Sequence, residues 1–334
     1  MPIDSDPDSP DRARETSTTP ETPGSREPRD GSETADFRQQ QIAEHVRYHR
    51  VADTAYQTAA RQTWAEAVPG LRSAWEEHRE RYPERTRPTP HTQPDGGWVA
   101  DDNRRLTPEQ NAEVTKACAD LRDEADQVTL PAVLRVEAAS PGGRLAGLDH
   151  MLKGEDRLKE KIAVAMEVPG VTVREAMDLV PDAVRYTLTY DDAGRYADGV
   201  LADVDGLKAE GFDLIKLKNL WHADQYKGIN SQWRRPDTGL RFEMQFHTPE
   251  SLEAKELTHE AYERIRGQTI SSTEKLELEA FQQRVNALLA TPPNTDRIKD
   301  FTEQDDDRQG RLLRDNRCAH QPGKTANRAP ARGD

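Results

Sequence analysis

The chain has 334 residues, of which 32% are charged and 34% hydrophobic, with 61 acidic side chains against 47 basic ones and a formal charge of -14. No run of about 18 apolar residues occurs, so a membrane-spanning helix is excluded. The two cysteines, Cys118 and Cys318, rule out a disulfide framework and a Cys-rich zinc site. Residues 1–35 are rich in Asp, Glu, Ser, Thr and Pro, with almost nothing to bury, and are expected to be a disordered tail. They also lack the apolar stretch of a signal peptide, so a cytoplasmic location is expected. Over 36–82 the text turns helical, with a thin stripe on Phe37, Ile42, Val46 and Val51, and its attachment is left open. Residues 83–103 carry the Pro and Gly of a linker. The compact domain is placed at 104–292, and 293–334 is read as a second disordered tail ending in the basic NRAPARGD.

Within 104–292 strands and helices interleave. Thr107-Pro108 opens a helix striped by Val114, Cys118, Leu121, Ala125 and Val128. Gly147–Lys153 is a strand candidate, followed by a helix on Leu158, Ile162 and Met166. Ala183–Tyr190 alternates strictly, with Val184, Tyr186, Leu188 and Tyr190 on one side. A helix carrying Tyr196, Val200, Val204 and Leu207 ends at Gly211, and Phe212–Lys218 reads as the next strand. Two more strands flank the turn sequence Pro236-Asp237-Thr238-Gly239. Helices over 249–266 and 272–290 close the domain, the second with a Ser271…Glu274 capping box. The expected fold class is α/β (or α+β), a mixed sheet flanked by helices.

The strand through Leu240–Thr248 is the most informative. Period-two alternation sends Leu240, Phe242, Met244 and Phe246 to the core and aligns Arg241, Glu243, Gln245 and His247 on the other face. A solvated face of an antiparallel sheet has the same pattern. Asp182 precedes the other strongly patterned strand, and two carboxylates facing one cleft can hold Mg²⁺ against nucleotide phosphates. Lys153, Arg157 and Lys161 are spaced four apart beside Lys159. They read either as a phosphate clamp or as a surface helix paired with Glu155, Asp156 and Glu160. Lys216 and Lys218 add positive charge at a strand end. In Asp224–Asn230, Tyr226 could stack on a nucleobase beside Gly228, or simply pack a strand start. His222, His247 and His259 lack zinc spacing, and no P-loop, GxGxxG, GxSxG or HExxH motif occurs. Neither cysteine reads as a nucleophile.

The order LKGEDRLKEK, PDAVRYTLTY, KLKN, YKGIN, FEMQFHT, HEAY over about 147–265 resembles the synthetase domain of RelA/SpoT-type alarmone enzymes, in their compact single-domain or toxin-like branches. The resemblance implies a nucleotidyltransferase-like domain that moves the β,γ-pyrophosphoryl group of ATP onto a nucleotide 3′-hydroxyl. It makes Asp182 the Mg²⁺-binding aspartate and Glu243 a general base or second metal ligand. Lys153, Arg157, Lys161, Arg185 and Lys218 fall to ATP, and Tyr226, Asn230, Gln245, His247 and His259 (with Tyr262) to the acceptor. Met151, Arg157, Asn230 and His247 replace the arginine, serine, histidine and arginine that the family usually carries at these positions. GDP or GTP is the family's default acceptor. An adenine nucleotide or a tRNA 3′ end stands as an alternative, the acidic total weighing against tRNA. A catalytically inactive nucleotide sensor, and an effector with an antitoxin or delivery partner, are further readings.

Overall fold

The computed structural model describes residues 31–83, 88–267 and 270–303, and side chains from Tyr56 onward. Of the expected tails at 1–35 and 293–334, residues 1–30 and 304–334, Cys318 among them, lie outside the described residues, and 31–35 are helical. The chain divides into Met1–His49 and Arg50–Asp334. Of the first unit, only the helical backbone of residues 31–49 is described, the beginning of α1 (Gly31–Arg81).

In the second unit, the stretch read as a linker carries structure. Short strands β1 (His91–Thr92), β2 (Trp98–Val99) and β3 (Arg105–Leu106) form a three-stranded antiparallel sheet. Trp98 is buried there, and its indole donates to Asp156 at 2.9 Å. A single large aromatic with a satisfied N–H anchors a segment whose Pro and Gly content alone suggests none. Helix α2 (Pro108–Glu124) starts where Thr107 predicts, with a full capping box to Gln110. A π turn at Ala125–Thr129 carries it into α3 (Leu130–Ala139), a helix the sequence reading did not separate.

The expected strand at Gly147–Lys153 is not there. The strand is β4 (Gly143–Ala146), Gly147 is left-handed, Leu148–His150 makes one 3₁₀ turn, and only Leu152 bridges Val184. Glycine relieves the positive φ that stops the strand. Helices α4 (Glu155–Ala165) and α5 (Val173–Asp178) lead to β5 (Arg185–Tyr190), then α6 (Tyr196–Ala209), β6 (Asp213–Asn219), β7 (Ile229–Arg234) and β8 (Arg241–His247). Helices α7 (Pro249–Gly267) and α8 (Ser272–Asn286) follow as expected. Ser271 caps α8, but the Glu274 side chain goes to Arg264 rather than completing the box. The domain also runs past 292. Ile298 is buried, and β9 (Phe301–Thr302) pairs with β6.

The main sheet is mixed, in the order β4-β5-β8-β7-β6-β9, with β5 and β8 parallel and the other pairs antiparallel. One face is apolar: Tyr186, Leu188, Phe242, Met244, Phe246, Ile229 and Trp233 pack beneath Val133, Val136, Val200, Val204 and Leu207 of α3 and α6. A second cluster joins Trp98, Leu106 and Val114 to Leu158 and Ile162 of α4. A third joins Trp64, Leu71 and Trp75 of α1 to Ala254, Ala261, Leu278, Phe281 and Val285 of α7 and α8.

Candidate active site

The polar face of the sheet carries the site. Register places Arg185, Glu243 and Gln232 in one row across β5, β8 and β7, with Thr187, Gln245 and Asn230 in the next. The face is not a solvated one. Glu243 is 5% exposed, Gln245 4% and His247 is fully buried, because α7 crosses over this end of β5 and β8. Burying a carboxylate requires partners, and Glu243 has them: Gln245 donates its side-chain N–H to Oε1, and Arg185 Nε stands 3.4 Å from the same oxygen.

Asp182 lies just before β5. The Leu152–Val184 bridge and the 2.9 Å bond from Lys153 N to the Ala183 carbonyl draw the 151–153 segment alongside. Lys153 Nζ therefore sits 3.2 Å from Asp182 Oδ2. Lys161, on the α4 turn that follows the buried Leu158, donates to both carboxylate oxygens at 2.8 and 2.7 Å. Arg185 Nη2 completes the ring at 3.4 Å. Burial works against ionising Asp182, but the Lys161 hydrogen bond and the Lys153 and Lys161 charges outweigh it and hold its pKa below the ordinary value. Burial also lowers the pKa of Lys153, although Asp182 opposes this.

Asp182 and Glu243 thus meet on one guanidinium. Arg185 touches the first through Nη2 and the second through Nε. Among the described residues, no group of three or more His, Cys, Asp or Glu side chains converges as a metal site. Oxygen donors of this kind suit a hard divalent cation.

The next part of the face is built on His247. Its Nδ1 faces Ser251 Oγ at 2.9 Å and its Nε2 faces the Tyr226 hydroxyl at 2.9 Å. Ser251 Oγ also stands 3.2 Å from the Thr248 carbonyl, and the neutral ring donates through one nitrogen and accepts through the other. Burial first, then the charges of Lys255 and Arg185, push the His247 pKa down to about 3, so the ring is neutral. The half-buried Tyr226 ring stands edge-on to this imidazole, and burial raises its phenol pKa. Gly228 makes the packing possible: its φ is +148°, and a Cβ there would lie 2.9 Å from His247 Cε1 and 3.0 Å from the Phe246 carbonyl.

The structure therefore brings Lys153, Lys161, Asp182, Arg185, Glu243 and Gln245 into one connected set, with Tyr226 and His247 beside it. Asn230 shares the face, and its buried Oδ1 has no hydrogen-bond partner. Exposed His259 is close enough to feel the set: desolvation first, then the charges of Lys255, Arg185 and Lys153, lower its pKa despite Glu263. Arg157, Lys218 and Tyr262 do not join. Arg157 points to solvent and pairs with Glu160 at 3.0 Å, which is the surface-helix reading of that run. Lys218 pairs with Asp300 at 2.7 Å, and Tyr262 accepts from Arg266. Lys159 is buried against Glu155.

Lys255 was not among the expected site residues. It donates to Gln245 Oε1 at 2.7 Å. The signal is visible in the sequence: Ser251, Lys255 and His259 fall four apart on α7, and Glu243, Gln245 and His247 two apart on β8. Four helical residues rise about 6 Å and two strand residues about 6.6 Å. A helix doubling back over its own strand therefore matches His247 to Ser251 and Gln245 to Lys255.

The fold is thus a mixed α/β sheet with helices on both faces and a charged site on one of them. No protein-family model matches the sequence, and no curated protein matches it. Similar solved structures include a GTP pyrophosphokinase family protein from Streptococcus pneumoniae, 17% identical, covering 55% of this chain and 90% of that one, TM-score 0.36. The small alarmone synthetase 1 of Bacillus subtilis bound to its product pppGpp is 13% identical, covering 53% of this chain and 93% of that one, TM-score 0.37. The same synthetase bound to AMPCPP is 15% identical, with coverages of 53% and 88% and a TM-score of 0.29.

Proposed function

We propose that the chain is an ATP-dependent pyrophosphokinase, transferring the β,γ-pyrophosphoryl group of ATP to the 3′-hydroxyl of a nucleotide. The observation that carries this reading is the meeting of Asp182 and Glu243 on Arg185, beside Lys153 and Lys161. Two carboxylates already sharing one cation fit Mg²⁺, and Asp182 and Glu243 would hold it. When bound, the ion neutralises charge on the phosphate oxygens. Lys153 and Lys161 donate to the remaining phosphate oxygens, and Arg185 supplies a third cation as charge shifts. Glu243 Oε1 accepts from Gln245 with Arg185 beside it, which leaves Oε2 either to hold the ion or to take the proton of the attacking hydroxyl. The 3′-oxygen bonds to the β-phosphorus, the bond from that phosphorus to the α,β-bridging oxygen breaks, and AMP leaves. Tyr226, its hydroxyl anchored on His247, offers its ring to the acceptor base.

A guanine nucleotide is the acceptor proposed. ATP labelled in the β,γ-pyrophosphoryl group, with Mg²⁺ and separate GDP, GTP, ADP, ATP and tRNA, is expected to give labelled GDP or GTP product with one AMP per transfer. Label appearing instead in an adenine nucleotide or in tRNA would correct the acceptor. No product and no AMP with any of them would leave a nucleotide sensor. Glu243→Gln is expected to lower turnover by about a thousandfold or more while ATP binding, read by calorimetry, stays within a few-fold.

A further inference from the structure

A half-buried lysine ordinarily finds a carboxylate. Lys255, reaching from α7 onto the sheet, instead gives its 2.7 Å hydrogen bond to a neutral amide oxygen, that of Gln245. Gln245 is buried and gives its N–H in turn to Glu243 Oε1. An ammonium can only donate and an ionised carboxylate can only accept, so an amide between them satisfies both in one of its two orientations. We propose that Lys255 is a positioning residue that fixes the Gln245 amide and, through it, the Glu243 carboxylate, with Oε1 held and Oε2 free toward the ion or the reacting hydroxyl.

Without the ammonium, the amide can turn over. Its carbonyl would then face the carboxylate, and Glu243 Oε1 would lose its hydrogen bond, with Arg185 Nε left 3.4 Å away as an ion-pair neighbour. The chain Lys255–Gln245–Glu243 is buried enough for the amide to be polarised by the charge at its end. Burial, and then the Arg185 charge, lower the Lys255 pKa to about 8, as expected of an ammonium lacking a direct counter-ion. The role rests on the proposed part played by Glu243, but its geometric half can be measured without turnover.

The test uses the full chain with Lys255→Met, which keeps the aliphatic stem, and Lys255→Arg, which restores a donor. The side-chain amide protons of Gln245 are followed by ¹H–¹⁵N NMR and identified by their loss in Gln245→Leu. In the parental chain they are expected to be widely separated and slow to exchange. In Lys255→Met they collapse toward the free-amide position, and Lys255→Arg restores the separation. Among active samples, Lys255→Met is expected to lower kcat by about tenfold with KM for ATP within about twofold, as for loss of a hydrogen bond to a charged group acting only in the reaction. Unchanged amide signals in Lys255→Met overturn the inference whether or not the chain is active. Shifted signals with unchanged kcat overturn the catalytic half. A parental chain that transfers nothing to any acceptor sinks the proposed activity instead, and the amide signals still decide the geometry.

Discussion

Gly228 shows how far one residue can be read. Its φ of +148° suits glycine alone, and a Cβ would strike the His247 ring, which has no room to retreat between Tyr226 and Ser251. Gly228→Ala is expected to destabilise the fold by about 2 kcal/mol or more, read as a lower urea midpoint, and to raise KM for the acceptor as Tyr226 shifts. A midpoint equal to that of the parental chain would refute the close packing. At this scale the sequence was most legible where chemistry dictates a partner. Lys153 and Lys161 pair with Asp182, and Glu243 is linked to it through Arg185, because a carboxylate at a strand opening has few alternatives to the cations beside it. Arg157 misled because one helical turn of freedom separates a side chain aimed at the site from one aimed at Glu160. Asn230 kept its place on the face, while the reason for its unpartnered oxygen is not visible in its own sequence neighbourhood.

Between elements, the information in the chain thins. Helix α1 was legible as a helix, but its attachment was not, since Trp64, Leu71 and Trp75 form a sparse stripe among charged residues. The structure explains how so thin a stripe suffices. Trp64 and Trp75 bury their rings against α7 and α8 and donate their indole N–H groups to Glu253 at 2.8 Å and Glu260 at 3.3 Å. Those glutamates are seven apart on α7, the helix whose opposite side brings Lys255 to Gln245. The second half of α1 therefore braces the helix that roofs the site. Trp75→Ala is expected to cost about 3–5 kcal/mol, the range for deleting a buried tryptophan. Because α7 loses its backing, the loss of transfer activity on warming should precede global unfolding seen by circular dichroism. Coincident loss of both would mean that α7 holds its position unaided. The strands fared better than the connections. β5 and β8 announce themselves by alternation, but the burial of the polar face depends on α7, and no period in β8 reports what lies above it.

Over the whole molecule, charge is the organising quantity. The total of -14 is spread over the chain, whereas the site gathers Lys153, Lys161, Arg185 and Lys255 around two carboxylates. Cations gathered at a site of an acidic chain draw polyanions toward that site. The same burial that builds the site sets the response to acid. His247 titrates at about 3 in the folded chain against 6.5 ordinarily, because burial and then Lys255 and Arg185 oppose its charge. Between those values the unfolded chain holds a proton that the folded chain does not, so stability falls as pH drops through that window, by about 1.4 kcal/mol per pH unit. His78 and His259, also lowered chiefly by desolvation, act in the same direction. Asp203 acts against them. Buried on α6 and accepting from Ser140 and Tyr190, it is pushed up to about 6 by desolvation, against those hydrogen bonds. Its proton is kept on folding between 3.8 and about 6, a contribution fully present below 3.8 and lost as pH rises through 6. From pH 6 to 4 the slopes of His247 and Asp203 are opposite and similar. The lowered His78 and His259 and the lowered carboxylates Glu155, Glu175, Glu210 and Asp182 all contribute stability that is lost as pH falls, so stability should decline on acidification. Asp203→Asn removes the opposing slope and should steepen the decline by about 1.4 kcal/mol per pH unit, while His247→Gln should flatten or reverse it. Urea unfolding at pH 4.5, 5.5 and 6.5 reads both. Parallel pH profiles for the two variants would mean that neither group carries the protonation assigned to it by its surroundings.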